Sequence, residues 1–502
     1  MDLEEMVGNL FMVGIMGKEI DADAIKVLEQ IKPGFVILFA RNIESAPQLS
    51  NFIKHVVQIV RKPVAFAIDQ EGGIVTRLRD GFSVSCGAMA LAATGDENNA
   101  YIAGRILAQE MKTLGITWNL APVVDINDNP NNPGIGVRSF GDTPEKVAKF
   151  STAFYKGLKE MKVAGCAKHF PGKGSVNVDA HIDMPTLEKD LNDLERWELL
   201  PFVELMKKGI ESVMPSHIHL PRLQKEKVPA TVSREIVTDL LRKRLKYNGI
   251  AIADDLLMGG ITRKMSVEDA VVESLRAGMD VLTVCHEPAA QIYAFKSLVK
   301  AVEESQELQN RLKESLERVQ KFKDNFALKE FPSEVIFDFA ENQKIMESIA
   351  ERSITLVSDR DQMVPVFLSK DDWVVTVKTS RLVQVQEVEP NVPWVADKLC
   401  KKFGSRFFVL EKDKPFDLYG DRCVFFSENA HLSDWQRSAL EKARKSFKKL
   451  LVVALRNPYD CFAVESSSIC SYGYEMVSQK ALLKVLLGEI KPVGKLPVEV
   501  RR

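Results

Sequence analysis

The chain is 502 residues long, carries a formal net charge of −1 at pH 7 and is 45% hydrophobic, which suits two or three well-buried domains and argues against nucleic acid or an anionic membrane as main partner. The opening stretch MDLEEMVGNLFMVGIMGKEI begins with acids where a secretory leader carries basic residues, and no segment offers the roughly 20 uninterrupted apolar residues of a membrane span. Seven scattered cysteines without a CxxC pair read as reduced core residues, so a cytoplasmic enzyme is expected.

In chain order, FMVGI (11–15), GFVILFA (34–40), PVAFAID (63–69), WNLAPVVDI (118–126), GCAKHF (165–170), ESVMPSHIHL (211–220), GIAIADD (249–255) and MDVLTVC (279–285) are short apolar runs separated by longer amphipathic stretches. Strands alternating with helices predict parallel pairing, and near-continuous apolar strands predict sheets buried on both faces. Eight such units predict an α/β fold of the (β/α)8 type; a doubly wound open sheet uses the same alternation but has no reason to stop at eight. Polar residues stand where the runs end: Asp69, Asp125, Lys168 with His169, His217, Asp254 and His286. Singly, Asp125, His217 or His286 reads as a strand-end residue, but in a barrel all these ends converge on the catalytic face.

The charged run VEESQELQNRLKESLERVQKFKDNFALKE (302–330) reads as a solvated last helix of the barrel. The expected division is a catalytic barrel over 1–330 and a smaller α/β sandwich domain over 331–502, with RSITLVSD, DWVVTVKT, RFFVLEK, CVFFSE and KLLVVALRNPYD as its strands. Few acid, base or ligand clusters stand out in this second block.

Chemistry concentrates in three loops. AIDQEGGIVTRLRD sets an acid pair and Gly-Gly after a strand, where glycine lets backbone approach a ligand; Asp69 equally suits a turn cap. GIAIADDLLMGG sets Asp254 and Asp255 after a strand. Successive strand residues point opposite ways, so one carboxylate faces the barrel mouth and the other turns away, and either suits a nucleophile that attacks an anomeric carbon. In KHFPGKGSVNVDAHIDMP (168–185), Asp179 and His181 share one side of an extended segment. A carboxylate on one imidazole nitrogen fixes the tautomer and leaves the other nitrogen for proton transfer; the plainer alternative is an Asp satisfying loop backbone beside an exposed His. Lys168 and His169 are placed to donate to hydroxyls, or equally to pair as structural side chains.

In order and spacing, DQEGG with TRL, LAPVVDI with GVRSFG, KHFPGKG with VDAH, VPATVS leading into IAIADDLLMGG, and RNPYD with VGKLPVEV resemble glycoside hydrolase family 3, specifically its bacterial β-N-acetylglucosaminidases, over nearly the whole chain. The resemblance implies Asp254 as nucleophile, His181 as acid/base oriented by Asp179, and sugar contacts from Asp69, Arg77, Arg138, Lys168 and His169. It implies no metal or organic cofactor. The substrate it implies is a carbohydrate containing N-acetylglucosamine, from peptidoglycan fragments or chitooligosaccharides, cleaved exo-fashion with retention. Three positions depart from the family pattern: Ile74 replaces an arginine, and Lys173 and Ser175 replace the histidine and aspartate of GHGD.

Competing readings are a phosphorylase, since a histidine base does not repel phosphate and Lys173 favours an anion, and a non-catalytic sugar-binding relative. A metal-dependent amidohydrolase is invited by the HIH of His217 to His219, although such barrels need that pair on the first strand. Glu465 in CFAVESSS is a fallback acid of the kind other family 3 enzymes take from a second domain. Oligomeric state has no signature in the sequence.

Overall fold

The computed structural model describes residues 2–328, 337–378 and 391–499. The eight apolar runs each contain a strand: β1 (Phe11–Gly14), β2 (Phe35–Leu38), β3 (Ala65–Ile68), β4 (Trp118–Asn119), β5 (Cys166–Phe170), β6 (Ser212–Pro215), β7 (Ile250–Ala251) and β8 (Leu282–Val284). Every residue of these strands is buried, as continuous apolar runs predict for parallel strands covered on both faces. Helices between them carry the expected signals. Helix Ala46–Val60 starts at Ser45, whose Oγ accepts from the Gln48 N–H, and buries Leu49, Phe52, Ile53, Val56 and Val60 along one face.

The eight strands form two parallel arcs, β4-β3-β2-β1-β8 and β5-β6-β7. Isolated parallel bridges, Trp118 with Ala164, Val123 with Lys168 and Ile252 with Val281, lie between the arcs, so the continuous hydrogen-bonded sheet is not closed. β4 ends at Asn119, one more backbone bond to β3 follows, from the Leu120 N–H to Ile68 O at 2.8 Å, and Pro122 beyond it has no N–H to give. Beside it the Asn119 side chain takes over, accepting at Oδ1 from the Gln70 backbone N–H at 3.1 Å and donating Nδ2 to the Gln70 backbone O at 2.9 Å. The charged run ends in helix Gln306–Phe326, separated from helix Pro288–Glu304 at Ser305, and is less solvated than its composition suggests, since Leu308, Leu312, Val319 and Phe322 are buried.

The expected boundary at 330/331 lies outside the described residues. Beyond it, β9 (Thr355–Ser358), β10 (Trp373–Val377), β11 (Arg406–Leu410), β12 (Gly420–Ser427), β13 (Phe447–Ala454) and β14 (Ser467–Cys470) form one sheet in the order β11-β10-β12-β13-β14-β9, parallel except for β9. β14, within the serine-rich SSSIC, has no apolar run to announce it. One hydrophobic core runs through both parts of the chain, from Val7 to Val498, and a smaller one lies around Val375, Phe425, Leu440 and Phe447. Among the described residues no helix is long and apolar enough to cross a membrane. All seven cysteines are free thiols.

Candidate active site

The ends of β3 and β5 meet in a buried charge cluster. Lys168 Nζ lies 2.7 Å from both Asp69 Oδ1 and Glu71 Oε1, and Arg138 grips Glu71 with two bonds, Nε to Oε2 at 2.9 Å and Nη2 to Oε1 at 2.8 Å. Arg77 Nη2 approaches Asp69 Oδ2 at 3.6 Å. Burial alone would raise the Glu71 carboxyl, but Arg138 and then Lys168 outweigh it and hold it down at about 2. The same carboxylates raise Lys168 and Arg138 against burial, so Glu71, Lys168 and Arg138 keep their charges. Arg138 also donates Nη1 to Gly134 O, so much of its fork is committed to Glu71 and backbone rather than open to a ligand.

His169 Nδ1 lies 2.7 Å from Asp125 Oδ2, and the other oxygen of Asp125 accepts from the Lys173 N–H at 2.7 Å. Burial, then the charges of Lys173 and Arg138, lower His169 well below its ordinary range. The ring is therefore neutral, donates Nδ1–H to the carboxylate and presents Nε2 as an acceptor. Burial raises Asp125, against the pull of Lys173.

From Gly172 onward the loop crosses to the Asp179–His181 pair. His181 Nδ1 and N both lie on Asp179 Oδ1, at 2.7 and 3.0 Å. Burial would raise Asp179, yet its bonds to His181 hold it well below the usual carboxylate range. The loop is tied at several points. Asn132 Nδ2 donates to Lys173 O at 2.7 Å and Gly174 O at 2.8 Å, while its Oδ1 accepts from the N–H groups of Gly134 and Ile135, each at 2.9 Å. At the far end Gly260 N donates to Ala180 O at 2.9 Å and Gly259 N to His181 O at 3.3 Å. The segment that follows the aspartate pair thus supports the loop that carries the dyad.

The two aspartates are separated by environment. Asp255 Oδ1 accepts from the Cys285 and Leu257 N–H groups, and burial pushes its carboxyl up to about 7. Its Oδ2 lies 3.5 Å from His286 Nε2, but burial lowers His286 to about 4, so the two are never charged together and the contact is no ion pair. Asp254 shifts the other way: against burial, Lys173 first, then His217 and His181, keep it below its ordinary range, and its Oδ1 accepts from the Asp255 N–H at 3.0 Å. Both ring nitrogens of His217 are engaged, Nε2 with Asp255 O and Nδ1 with Thr231 Oγ1, each at 2.9 Å. Among the described residues no group of three or more His, Cys, Asp and Glu is arranged to hold a metal ion.

Ile74 is buried, and Ser175 Oγ bonds Asp128 Oδ1 at 2.8 Å, leaving Lys173 as the departure inside the site. Glu465 is paired with Arg360 at 3.3 Å and its side chain is 80% exposed. Sequence reasoning passed over Asn132 and the loop after β12, and quoted RNPYD after β13 without giving it a role. There Tyr459 Oη meets Asn127 Nδ2 at 2.9 Å, His431 Nε2 meets Pro130 O at 3.1 Å, and the Asn457 side chain closes on Gly136. The Asn, Pro and Gly density of NDNPNNPG signalled a loop, but not its partners.

Buried carboxylates, cations and an Asp-His pair at the ends of parallel strands are the setting of sugar chemistry, and the chain belongs to glycoside hydrolase family 3: residues 2–322 match the glycosyl hydrolase family 3 N-terminal domain. It is 28% identical over 533 aligned positions to β-hexosaminidase A of Pseudoalteromonas piscicida, covering 93% of this chain and 89% of that protein. The family 3 β-N-acetylglucosaminidase of Paenibacillus sp. strain FPU-7 superposes with a TM-score of 0.89 at 32% identity, over 99% of each chain. A fungal multi-domain family 3 β-N-acetylglucosaminidase superposes at 0.93 with 31% identity over 99% of this chain, which spans 61% of that larger one.

Proposed function

We propose that this glycoside hydrolase is a retaining, exo-acting β-N-acetylhexosaminidase that removes terminal β-linked N-acetylglucosamine from peptidoglycan fragments or chitooligosaccharides. The two strand arcs are taken as one (β/α)8 ring over 1–330, followed by a sandwich domain over 331–502. Asp254 attacks the anomeric carbon while His181, held by Asp179, gives its Nε2 proton to the leaving oxygen. His181 then takes a proton from water, which releases the sugar from Asp254. Lys168 and Asp69 hold sugar hydroxyls, Nε2 of neutral His169 accepts from another, and Arg77 and Arg138 complete the charge balance around them.

The observation that carries this reading is the backbone link between Gly259–Gly260 and Ala180–His181, which joins the Asp254 segment to the Asp179–His181 pair. Incubation with a 5-fluoro-N-acetylglucosaminyl fluoride and peptide mapping tests it: an adduct on Asp254 is expected. Binding without any adduct would favour a sugar-binding relative without activity. Turnover of chitobiose against a muropeptide assigns the natural substrate.

A second reading is favoured by Lys173, a buried lysine on the loop that carries Asp179, where its pKa is lowered by burial and raised in turn by the charges of Asp254, Asp125 and Asp179. With phosphate in place of water the same intermediate gives a sugar 1-phosphate. A rate and product independent of phosphate remove this alternative.

A further inference from the structure

The strands have a second end. Lys168 and Asp254 stand where β5 and β7 finish, but where β6 and β7 begin a cavity of about 680 Å³ opens between helix Leu199–Lys207, the turn 244–249 and helix Gln306–Phe326. Small-molecule sites typically have volumes of about 300–1,000 Å³.

The wall of this cavity is fixed by its own hydrogen bonds. Lys246 holds the left-handed region at φ +55°, and Gly249 lies so close to its neighbours that a Cβ would stand 2.3 Å from Tyr247 Oη and 2.7 Å from Glu211 O. The buried Tyr247 Oη donates to Ile210 O at 3.0 Å, while Arg242 Nη1 donates to Tyr247 O at 3.0 Å and to Gly249 O at 2.6 Å. The turn therefore stands preformed rather than waiting on a ligand.

Inside, Met206, Ile210, Leu245, Phe322 and Phe326 supply an apolar lining. Among the described residues, no buried polar side-chain atom that lines the cavity lacks a partner, so the interior offers nothing to recognise a heteroatom along the body of a ligand. The charge is of one sign. Lys207, Arg244, Lys246, Arg318 and Lys321 line the cavity against a single acid, Glu211. Both oxygens of Glu211 are already engaged, Oε2 by the Gly165 N–H at 2.9 Å and Oε1 by Tyr155 Oη at 3.0 Å, and burial raises its carboxyl. Three of the cations are also spent: Lys207 on Glu204 at 2.6 Å, Arg244 on Glu195 at 3.0 Å and Arg318 on Asp280 at 3.1 Å. Among the described residues the ammonium groups of Lys246 and Lys321 have no such partner.

We propose that this cavity is a binding site for a fatty-acid-like carboxylate, its unsubstituted chain in the apolar lining and its carboxylate taken by Lys246 and Lys321. Apolar burial supplies the attraction, and the two lysines select an anion over a neutral chain of the same length. The site is separate from the sugar chemistry, at the other end of the strands.

Calorimetric titration of the full chain with sodium dodecanoate below its micellar concentration tests this. Wild type should bind one equivalent, more weakly as salt is added. Lys246→Glu combined with Lys321→Glu should weaken binding by about tenfold or more, and Met206→Trp, which fills the lining, should abolish it. Melting curves establish that both variants are folded. No saturable binding to wild type overturns the proposal. Binding lost in Met206→Trp but unchanged by the charge reversals overturns the carboxylate assignment, and binding that survives Met206→Trp shows the anion on surface lysines and overturns the cavity as its site.

Discussion

His169 and His181 both meet a carboxylate through Nδ1 at 2.7 Å, yet their surroundings give them different work. The His169 side chain is 5% exposed among cations that keep it neutral, which suits a fixed acceptor; that of His181 is 21% exposed, with its free nitrogen toward the leaving group in the proposed reaction. His181→Ala should therefore lower kcat/KM by about 10²–10⁴-fold on substrates with poor leaving groups and far less on a nitrophenyl glycoside, as a Brønsted series of aglycones would reveal. Asp255 gives a stability prediction. Its folded carboxyl titrates near 7, above an unfolded aspartate, so the folded state binds the extra proton and stability falls as pH rises from about 4 to 7. Asp255→Asn removes this slope, and melting temperatures across that range should be flatter than in wild type.

At the scale of elements, the loop from Gly172 to His181 is shaped less by its own sequence than by what it leans on. Asn132 makes four bonds to backbone, so Asn132→Ala should destabilise the fold by about 1–3 kcal/mol in urea denaturation and lower kcat more than KM rises. Much of this architecture was legible. Continuous apolar runs marked the eight strands, and the strand-end rule picked out Asp69 and Lys168, which the fold joins with Glu71 in one charge cluster, and Asp125 and His169, which it pairs. Alternation left the choice between Asp254 and Asp255 open and only the family resemblance favoured Asp254; in the structure the Cys285 and Leu257 N–H groups, far or unremarkable in sequence, engage Asp255 and set the two carboxylates apart. β14 escaped because its buried serines lack an apolar pattern. The Glu71 to Arg138 pair joins residues that sequence spacing does not connect.

For the whole molecule, one apolar core threads both halves of the chain, so calorimetry should record a single cooperative unfolding transition rather than two. Tyr459→Phe leaves the Asn127 amide without its buried partner and should lower that transition by about 1–3 kcal/mol. Contacts from the six-stranded sheet end on the 127–136 segment, which also holds the dyad loop through Asn132. Asn457 presses on Gly136 within 2.5 Å of where a Cβ would stand, and two residues earlier Gly134 backs onto Asp179, whose Cγ is 3.5 Å from the equivalent point. A displacement of the six-stranded sheet should therefore reach the Asp179–His181 pair through three residues of chain, Gly134 to Gly136.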